Sequence, residues 1–386
     1  MRKHGGRKVK ENHLKQVGKL GQSIWIDYIR RDLIASGELK RLMKEDGLRG
    51  MTSNPSIFEK AIVGSHDYDA DIRAMTSEGK DCNAIYEALS QQDVQGAADE
   101  FRQLYDETDG KDGYVSLEVN PHLAHDLSGT LAEARRLWAA LDRPNVFIKV
   151  PATDEGVQAI QQLISEGINV NVTLIFSVSR YRQIVEAYLS GIEARAARSE
   201  SIKRVASVAS FFVSRIDELV DQQLNGIIVQ GGDMGQLAKK LYGQVAIASA
   251  KVAYQDFKEI IKSDRFMKVA EQAARPQRLL WASVSSKDPS FSDVKYIEAL
   301  IGPSTISTVP METLDAYQDH GEPKVRLTQD VKKARRTLEH LPELGIIIEN
   351  VTRQLENEGV EKFIKPFDKL METLAKMSTQ KGERKQ

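Results

Sequence analysis

The sequence predicts an α/β fold, a closed (β/α)8 TIM barrel with helical insertions and extra C-terminal helices. Three observations predict it. Eight short apolar segments recur along the chain, and helical patterns follow them. The connections are helices rather than tight turns, which calls for parallel strands joined by crossovers. The segments also alternate polar and apolar residues, so one parity can pack on helices while the other converges on an interior. At 386 residues the chain exceeds one average domain, but barrels of this size are common.

Taken in order, the chain opens with a basic stretch. Residues 1–20 hold seven Lys/Arg and one Glu, with no apolar run, so they make no secretory signal. The expectation is a mobile arm over 1–20, one barrel domain over 21–378 and a disordered tail over 379–386. The predicted strands are Ser23–Ile29, Leu48–Ser53, Tyr114–Asn120, Val146–Thr153, Ile168–Phe176, Val205–Val213, Leu279–Val284 and Thr305–Pro310. Helix starts are marked by Asn54-Pro55 (a cap, then proline in the first turn), by Thr153-Asp154 and by Ser177 or Ser179. Between strands, Leu123, Leu127, Leu131, Ala134, Trp138 and Leu141 keep a spacing of three or four, as do Tyr181, Ile184, Val185, Tyr188 and Ile192. Longer helical insertions separate the second strand from the third and the sixth from the seventh. Beyond residue 310 come two or three more helices. One presents Val360, Phe363, Phe367, Leu370, Met371 and Leu374 on a face to lie across the barrel, with Pro366 near its start or at a kink.

Composition excludes several classes. A net charge of −1 creates no global field for nucleic acid or membranes, and 41% hydrophobic residues suffice for a large core. No stretch approaches the length of a membrane span. Cys82 is the single cysteine, which suits a cytoplasmic protein and leaves no disulfide or cysteine cluster. A monomer or homodimer is expected.

A parallel strand covered by helices should be apolar on both faces, and these strands are not. Ser116, Glu118 and Asn120 oppose Val115, Leu117 and Val119. Asn169, Asn171 and Thr173 oppose Ile168, Val170, Val172, Leu174 and Phe176. Asp27 shares a parity with Trp25, and Lys149 with Phe147. Ser210 pairs with Phe212, and Trp281 with Ser283 and Ser285. The interior is thus expected to receive Asp27, Glu118, Lys149, Asn171, Thr173, Ser210 and Ser283, with Trp25 and Trp281 as interior packing. Taken alone, Lys149 reads as a side chain whose stem packs while its head reaches solvent. An unpaired buried ammonium or carboxylate costs several kcal/mol, so such a cluster survives only if mutually hydrogen-bonded or given a task. Several strands contribute to it at once, as barrel active sites require.

The residue types narrow the task. No His lies on these strands, no metal-ligand spacing occurs, and neither G-x-G-x-x-G after a strand nor G-x-x-x-x-G-K-[ST] is present, so no metal and no cofactor is expected. One amine with two carboxylates, amides and hydroxyls suits Schiff-base chemistry on a ketone. Attack requires a neutral amine, and a three-unit pKa depression corresponds to about 4 kcal/mol of environment. One carboxylate must then take a proton from a departing hydroxyl, and another must shuttle protons as the imine forms and hydrolyses. Arg215, just beyond the sixth strand, would hold a phosphate; it opens a helix, where a cation is slightly unfavourable. Asn54 reads equally as the cap of the helix that Pro55 begins, and Thr173 and Ser210 as satisfied core hydroxyls.

Six stretches, in order, resemble the transaldolase family: Ser23-Ile24-Trp25-Ile26-Asp27, Thr52-Ser53-Asn54-Pro55-Ser56, Ser116-Leu117-Glu118-Val119, Phe147-Ile148-Lys149-Val150-Pro151-Ala152-Thr153, Asn171-Val172-Thr173-Leu174-Ile175-Phe176-Ser177 and Ser210-Phe211-Phe212-Val213-Ser214-Arg215-Ile216-Asp217. The long form resembles the larger bacterial and plant-type branch. The resemblance implies a cofactor-free barrel of the pentose phosphate pathway that acts on sugar phosphates. In it Lys149 would form the Schiff base, Asp27 would take the C4 hydroxyl proton, and Glu118 would work through a water that Thr173 helps to place. Asn54, Asn171 and Ser210 would bind the dihydroxyacetone unit, Phe212 would wall the site and Arg215 would anchor phosphate. Many relatives add a second phosphate-binding arginine after the seventh strand. Here Ala282-Ser283-Val284-Ser285-Ser286-Lys287 offers Lys287, a point charge without the bidentate fork.

Overall fold

The computed structural model describes residues 12–379. Eight parallel strands close into a barrel in sequence order: β1 (Ser23–Asp27), β2 (Gly50–Thr52), β3 (Tyr114–Glu118), β4 (Val146–Pro151), β5 (Val170–Ile175), β6 (Ser207–Phe212), β7 (Arg278–Ala282) and β8 (Ile306–Val309). Each lies within or within one residue of its predicted segment. The predicted caps explain how the helices leave the strands. Asn54 accepts from Ile57 N at 3.1 Å, Thr153 from Gly156 N at 3.0 Å and Ser177 from Arg180 N at 2.9 Å. The insertions are helical as well: Pro55–Val63, Asp69–Ser77 and Cys82–Glu107 stand between β2 and β3, and four helices from Ser214–Gln230 to Asp264–Ala270 stand between β6 and β7.

Register decides what meets inside. Glu118 pairs with Lys149, Lys149 with Asn171, and Asn171 with Val208, while Asp27 pairs with Thr52. Laterally paired residues of a parallel sheet share a face, so the polar set of the interior forms one layer near the C-terminal ends of the strands. Below it the barrel is plugged by aromatics. Phe147 stacks on Tyr114 with centroids 4.3 Å apart, and Trp25 lies 6.2 Å from Phe147. The floor is a buried ion pair. Arg278 donates to Asp112 at 3.0 Å, to Ser23 Oγ at 2.7 Å and to the Thr305 carbonyl at 2.9 Å. These partners compensate for desolvating the guanidinium.

Two strands depart from simple alternation. In β7 the inward parity falls on Arg278, Leu280 and Ala282, because Leu280 pairs with Ser210, and Ala282 with Phe212. Trp281 therefore faces outward, its ring 6.1 Å from that of Phe211; the expectation of interior packing is corrected. Ser283 is not an inward strand residue either. It lies past the end of β7 with φ +54° and hydrogen-bonds Ser214 at 2.9 Å. In β5 the register shifts between Val172 and Ile175, where Leu174 takes φ +60°. This turns Leu174 away from the outer helices toward Gly359 of the C-terminal helix, where an added Cβ would lie only 2.9 Å from its side chain.

The ends differ from expectation too. Asn12 caps a helix over His13–Lys19, whose Leu14 and Val17 are buried, so the second half of the predicted arm is an ordered part of the fold. Residues 1–11 and 380–386 lie outside the described residues. The last helix, Ile348–Thr379, runs on through Pro366, which sits in its interior rather than near its start. Its Val360, Phe363, Phe367, Leu370 and Leu374 are buried. No helix among the described residues is long and apolar enough to cross a membrane.

Gly50 opens β2 directly against the buried indole of Trp25; a Cβ there would stand 2.5 Å from the ring. Gly50→Ala is expected to lower stability by about 2 kcal/mol, because the plugged barrel cannot yield to an added methyl. Denaturant unfolding at equilibrium measures this.

Candidate active site

The interior layer opens into a cavity of about 750 Å³ at the C-terminal ends of the strands, the end at which barrels of this class carry active sites. Lys149 sits at its base, 4% exposed. Its Nζ donates to the Ser53 carbonyl at 2.8 Å and lies 3.3 Å from Glu118 Oε2. The ring of Phe363, from the C-terminal helix, covers the amine at 5.7 Å from its centroid. The amine is thus held by a carbonyl, a carboxylate and an aromatic face, with a route to bulk water through the cavity.

The two carboxylates are differently placed. Asp27 faces the cavity and accepts from Thr52 Oγ1 at 2.6 Å; Thr52 in turn shares a hydrogen bond with Thr308 at 2.7 Å. Burial raises its pKa, partly offset by the charge of Lys149, the Thr52 bond and Arg215. Glu118 is buried beside the amine. Burial pushes its carboxyl from 4.5 to about 7, against the pull of Lys149 and with added repulsion from Asp27. A carboxyl poised near neutrality can both give and take a proton.

Of the other residues singled out in the sequence, Asn54, Thr173, Ser210, Phe212, Arg215, Ser283 and Lys287 line the same cavity. Asn54 does so while capping its helix. Asn171 is absent from the wall. Its amide is committed behind it, donating to Ser116 at 3.0 Å and accepting from Ser210 at 2.7 Å, so it orients the Ser210 hydroxyl. Glu118 meets the cavity only through Lys149. Arg215 leans on Phe212, 5.5 Å from guanidinium carbon to ring centroid, and burial pulls its pKa down. Lys287 Nζ bonds Ser285 at 3.1 Å on the rim. Thr173 Oγ1 and Arg215 Nη1 are buried without a hydrogen-bond partner among the described residues, and Glu118 Oε2 has only the Lys149 amine beside it. In a folded protein such atoms mark places where a ligand or water completes the bonding.

Sequence reasoning missed six residues of this wall. Thr52 and Thr308 follow from the parity rule on β2 and β8, the two strands to which it was not applied. Lys362 and Phe363 carry no such signal, because nothing local to a helix says which barrel mouth it crosses. Arg30 and Lys60 add further cations to the rim. No cluster of three or more His, Cys, Asp or Glu able to hold a metal occurs among the described residues.

The model of the family described as Transaldolase/Fructose-6-phosphate aldolase matches residues 24–374, from β1 into the C-terminal helix. The chain belongs to the transaldolase family. It is 48% identical over 367 residues to a transaldolase of Trichodesmium erythraeum, covering 94% of this chain and 97% of that one. It is 47% identical over 368 residues to transaldolase 2 of Nostoc sp. strain PCC 7120, with the same coverage. A transaldolase of Saccharopolyspora erythraea is 43% identical over 364 residues, again covering 94% and 97%. The family match therefore spans the whole candidate site, including the helix that covers Lys149.

The raised Glu118 carboxyl has a consequence for stability. The native protein keeps a proton up to about pH 7 that the unfolded chain releases near 4.5. Its contribution is therefore complete below 4.5 and lost as pH rises through about 7. Glu118→Gln is expected to flatten the decline of unfolding free energy across this window, as read by denaturant melts at several pH values.

Proposed function

We propose that this protein is a transaldolase, a transferase that moves a dihydroxyacetone unit from sedoheptulose 7-phosphate to glyceraldehyde 3-phosphate through a Schiff base on Lys149. The products are erythrose 4-phosphate and fructose 6-phosphate. The observation that carries the reading is the buried Lys149 amine 3.3 Å from Glu118, at the base of a cavity that Arg215 enters with an unpartnered Nη1. Family membership supports the reaction class.

The residues divide the work as follows. Lys149 passes a proton to Glu118 and adds to the ketone carbon C2 of the donor. The carbonyl electron pair moves to oxygen, which takes a proton from the newly bonded nitrogen to give a neutral carbinolamine. Glu118 then returns its proton to that hydroxyl, which leaves as water, and a C2=N iminium remains. Asp27 takes the proton from the C4 hydroxyl. The C3–C4 bond breaks, its electrons flow into the iminium to form an enamine, and the aldehyde departs. The acceptor aldehyde then enters, and the same steps run in reverse. Ser210, fixed by Asn171, and Asn54 are suited to hold the hydroxyls of the three-carbon unit. Thr173 Oγ1 and Glu118 Oε2 are suited to hold the water between them. Arg215 is the principal phosphate partner. Ser283 adds a hydroxyl to the mouth, and Lys287 and Lys60, with Arg30 and Lys362 that also pair with nearby carboxylates, add cations that favour sugar phosphates. A single cysteine suits a reducing compartment, and we assign the reaction to the cytoplasm.

Borohydride reduction in the presence of fructose 6-phosphate is expected to leave a covalent adduct on Lys149, detected by peptide mass. Absence of the adduct with retained ligand binding would identify a noncatalytic sugar-phosphate-binding barrel. Lys149→Ala is expected to lower transfer by at least about a thousandfold while the melting curve stays cooperative. With erythrose 4-phosphate omitted, fructose 6-phosphate should remain largely uncleaved; steady release of free dihydroxyacetone would point to an aldolase instead.

Loss of the Arg215 guanidinium removes a charge-assisted contact of about 1.5–3 kcal/mol. Arg215→Ala is expected to raise KM for sugar phosphates by roughly 10- to 150-fold with a smaller change in kcat. Steady-state kinetics with phosphorylated and unphosphorylated donors checks this, since an unphosphorylated donor should be indifferent to the change.

A further inference from the structure

Glu118 lines a second cavity, behind the one that Lys149 lines. The second, about 200 Å³, lies between the barrel and the helix Cys82–Glu107, with Asn83, Tyr86, Ser90, Asn120 and Glu133 beside Glu118 in its wall. Lys149 is in the wall of the large cavity and Glu118 in that of the small one, and the two meet at the 3.3 Å contact. The wall of the small cavity sets these polar groups beside Leu117, Leu137 and Phe367, and the polar groups give water several bonding partners. Its rim includes Asn83, an exposed residue in the first turn of its helix. Tyr86 is held edge-on between Phe58 and Phe367, at 6.0 and 5.4 Å. Its phenol pKa is raised by burial and by the charges of Glu118, Glu133 and Glu87, so it stays a neutral donor facing them. Glu133 accepts from the Asn120 N–H at 3.0 Å, which keeps its carboxylate at the wall. Glu118 Oε2 is buried, and the Lys149 amine at 3.3 Å is its one polar neighbour among the described residues.

We propose that this small cavity is a rear water passage, through which the water released when the iminium forms leaves Glu118 and the water that hydrolyses it returns. The inference rests on the Schiff-base reading above. In each half of the cycle one water must leave or reach C2 while the large cavity is filled by the sugar phosphate. The front route from Lys149 runs between Asp27, Thr173, Ser210 and Arg215, the space that the sugar occupies. The rear route reaches the same carboxyl without displacing substrate. Glu118 thus exchanges protons with the reacting oxygen on one side and with solvent on the other.

The test uses the full-length protein and fructose 6-phosphate labelled with oxygen-18 at C2, without an acceptor. Loss of label requires that the released water escape and an unlabelled one return. Asn83→Trp places an indole at the rim of the passage, and Asn83→Leu a smaller plug; Asn83→Ser leaves it open. Label loss is expected to slow roughly tenfold in Asn83→Trp, less in Asn83→Leu, and not at all in Asn83→Ser. Because a passage alters rates and not equilibria, the yield of borohydride adduct on Lys149 at long times should match that of the unaltered protein in all three. Thermal melts confirm folding, and Asn83→Leu decides the matter if the indole is not tolerated. Unchanged label loss in the plugged variants, with full adduct, would show that water uses the front and would overturn the passage alone. No adduct in the unaltered protein would overturn the Schiff-base reading itself, and the passage with it.

Discussion

The contact between Lys149 Nζ and Glu118 Oε2, 3.3 Å long with each side chain only 5% exposed, is the constraint on which the rest of the molecule depends. Either group alone in a barrel interior would be a buried, unpaired charge costing several kcal/mol. The lateral pairing of β3 with β4 brings them together by backbone register, without reliance on flexible side-chain reach. Removing one partner would force the other to change its protonation state or its place. The same desolvation pushes the Glu118 carboxyl up to about 7.

A polar upper layer weakens the core, and the lower half of the barrel compensates. The stacked rings of Trp25, Tyr114 and Phe147 fill the volume beneath Lys149, and the network around Arg278 and Asp112 closes the floor. The division is spatially sharp because neighbouring strands carry both layers at matching heights. Apolar burial thus supplies cohesion at one end, and a hydrogen-bonded polar layer meets the cavity at the other. Beneath the mouth, Thr52 and Thr308 tie Asp27 into the wall, so the second carboxylate is oriented before any ligand arrives.

The mouth is shaped by elements that lie outside the eightfold repeat. The C-terminal helix lays Phe363 over the amine and Lys362 on the rim, and Gly359 lets it approach the strained turn at Leu174. The helix Cys82–Glu107, inserted between β2 and β3, walls off the small cavity behind Glu118. An amine, two carboxylates and a buried arginine therefore sit in surroundings built from distant parts of the chain. Their chemistry is set as much by those covers as by the strands that bear them.

The sequence by itself determined the strands, their order and most of the inward residues, because both strand pleat and helix pitch are local periodicities that side-chain polarity records. Asp27, Glu118, Lys149, Thr173 and Ser210 were legible for that reason, and so were the caps at Asn54, Thr153 and Ser177. Only the tertiary structure decided where alternation fails. The bulge after Val172 and the positive φ of Ser283 reset parity, and neither leaves a mark in residue type. It also decided that Asn171 serves Ser210 behind the cavity, that Trp281 faces the helices, and that residues from Asn12 to Lys19 fold back as a packed helix. Each of these depends on contacts between residues far apart in the chain, and a one-dimensional pattern holds no record of which distant surface a side chain will meet.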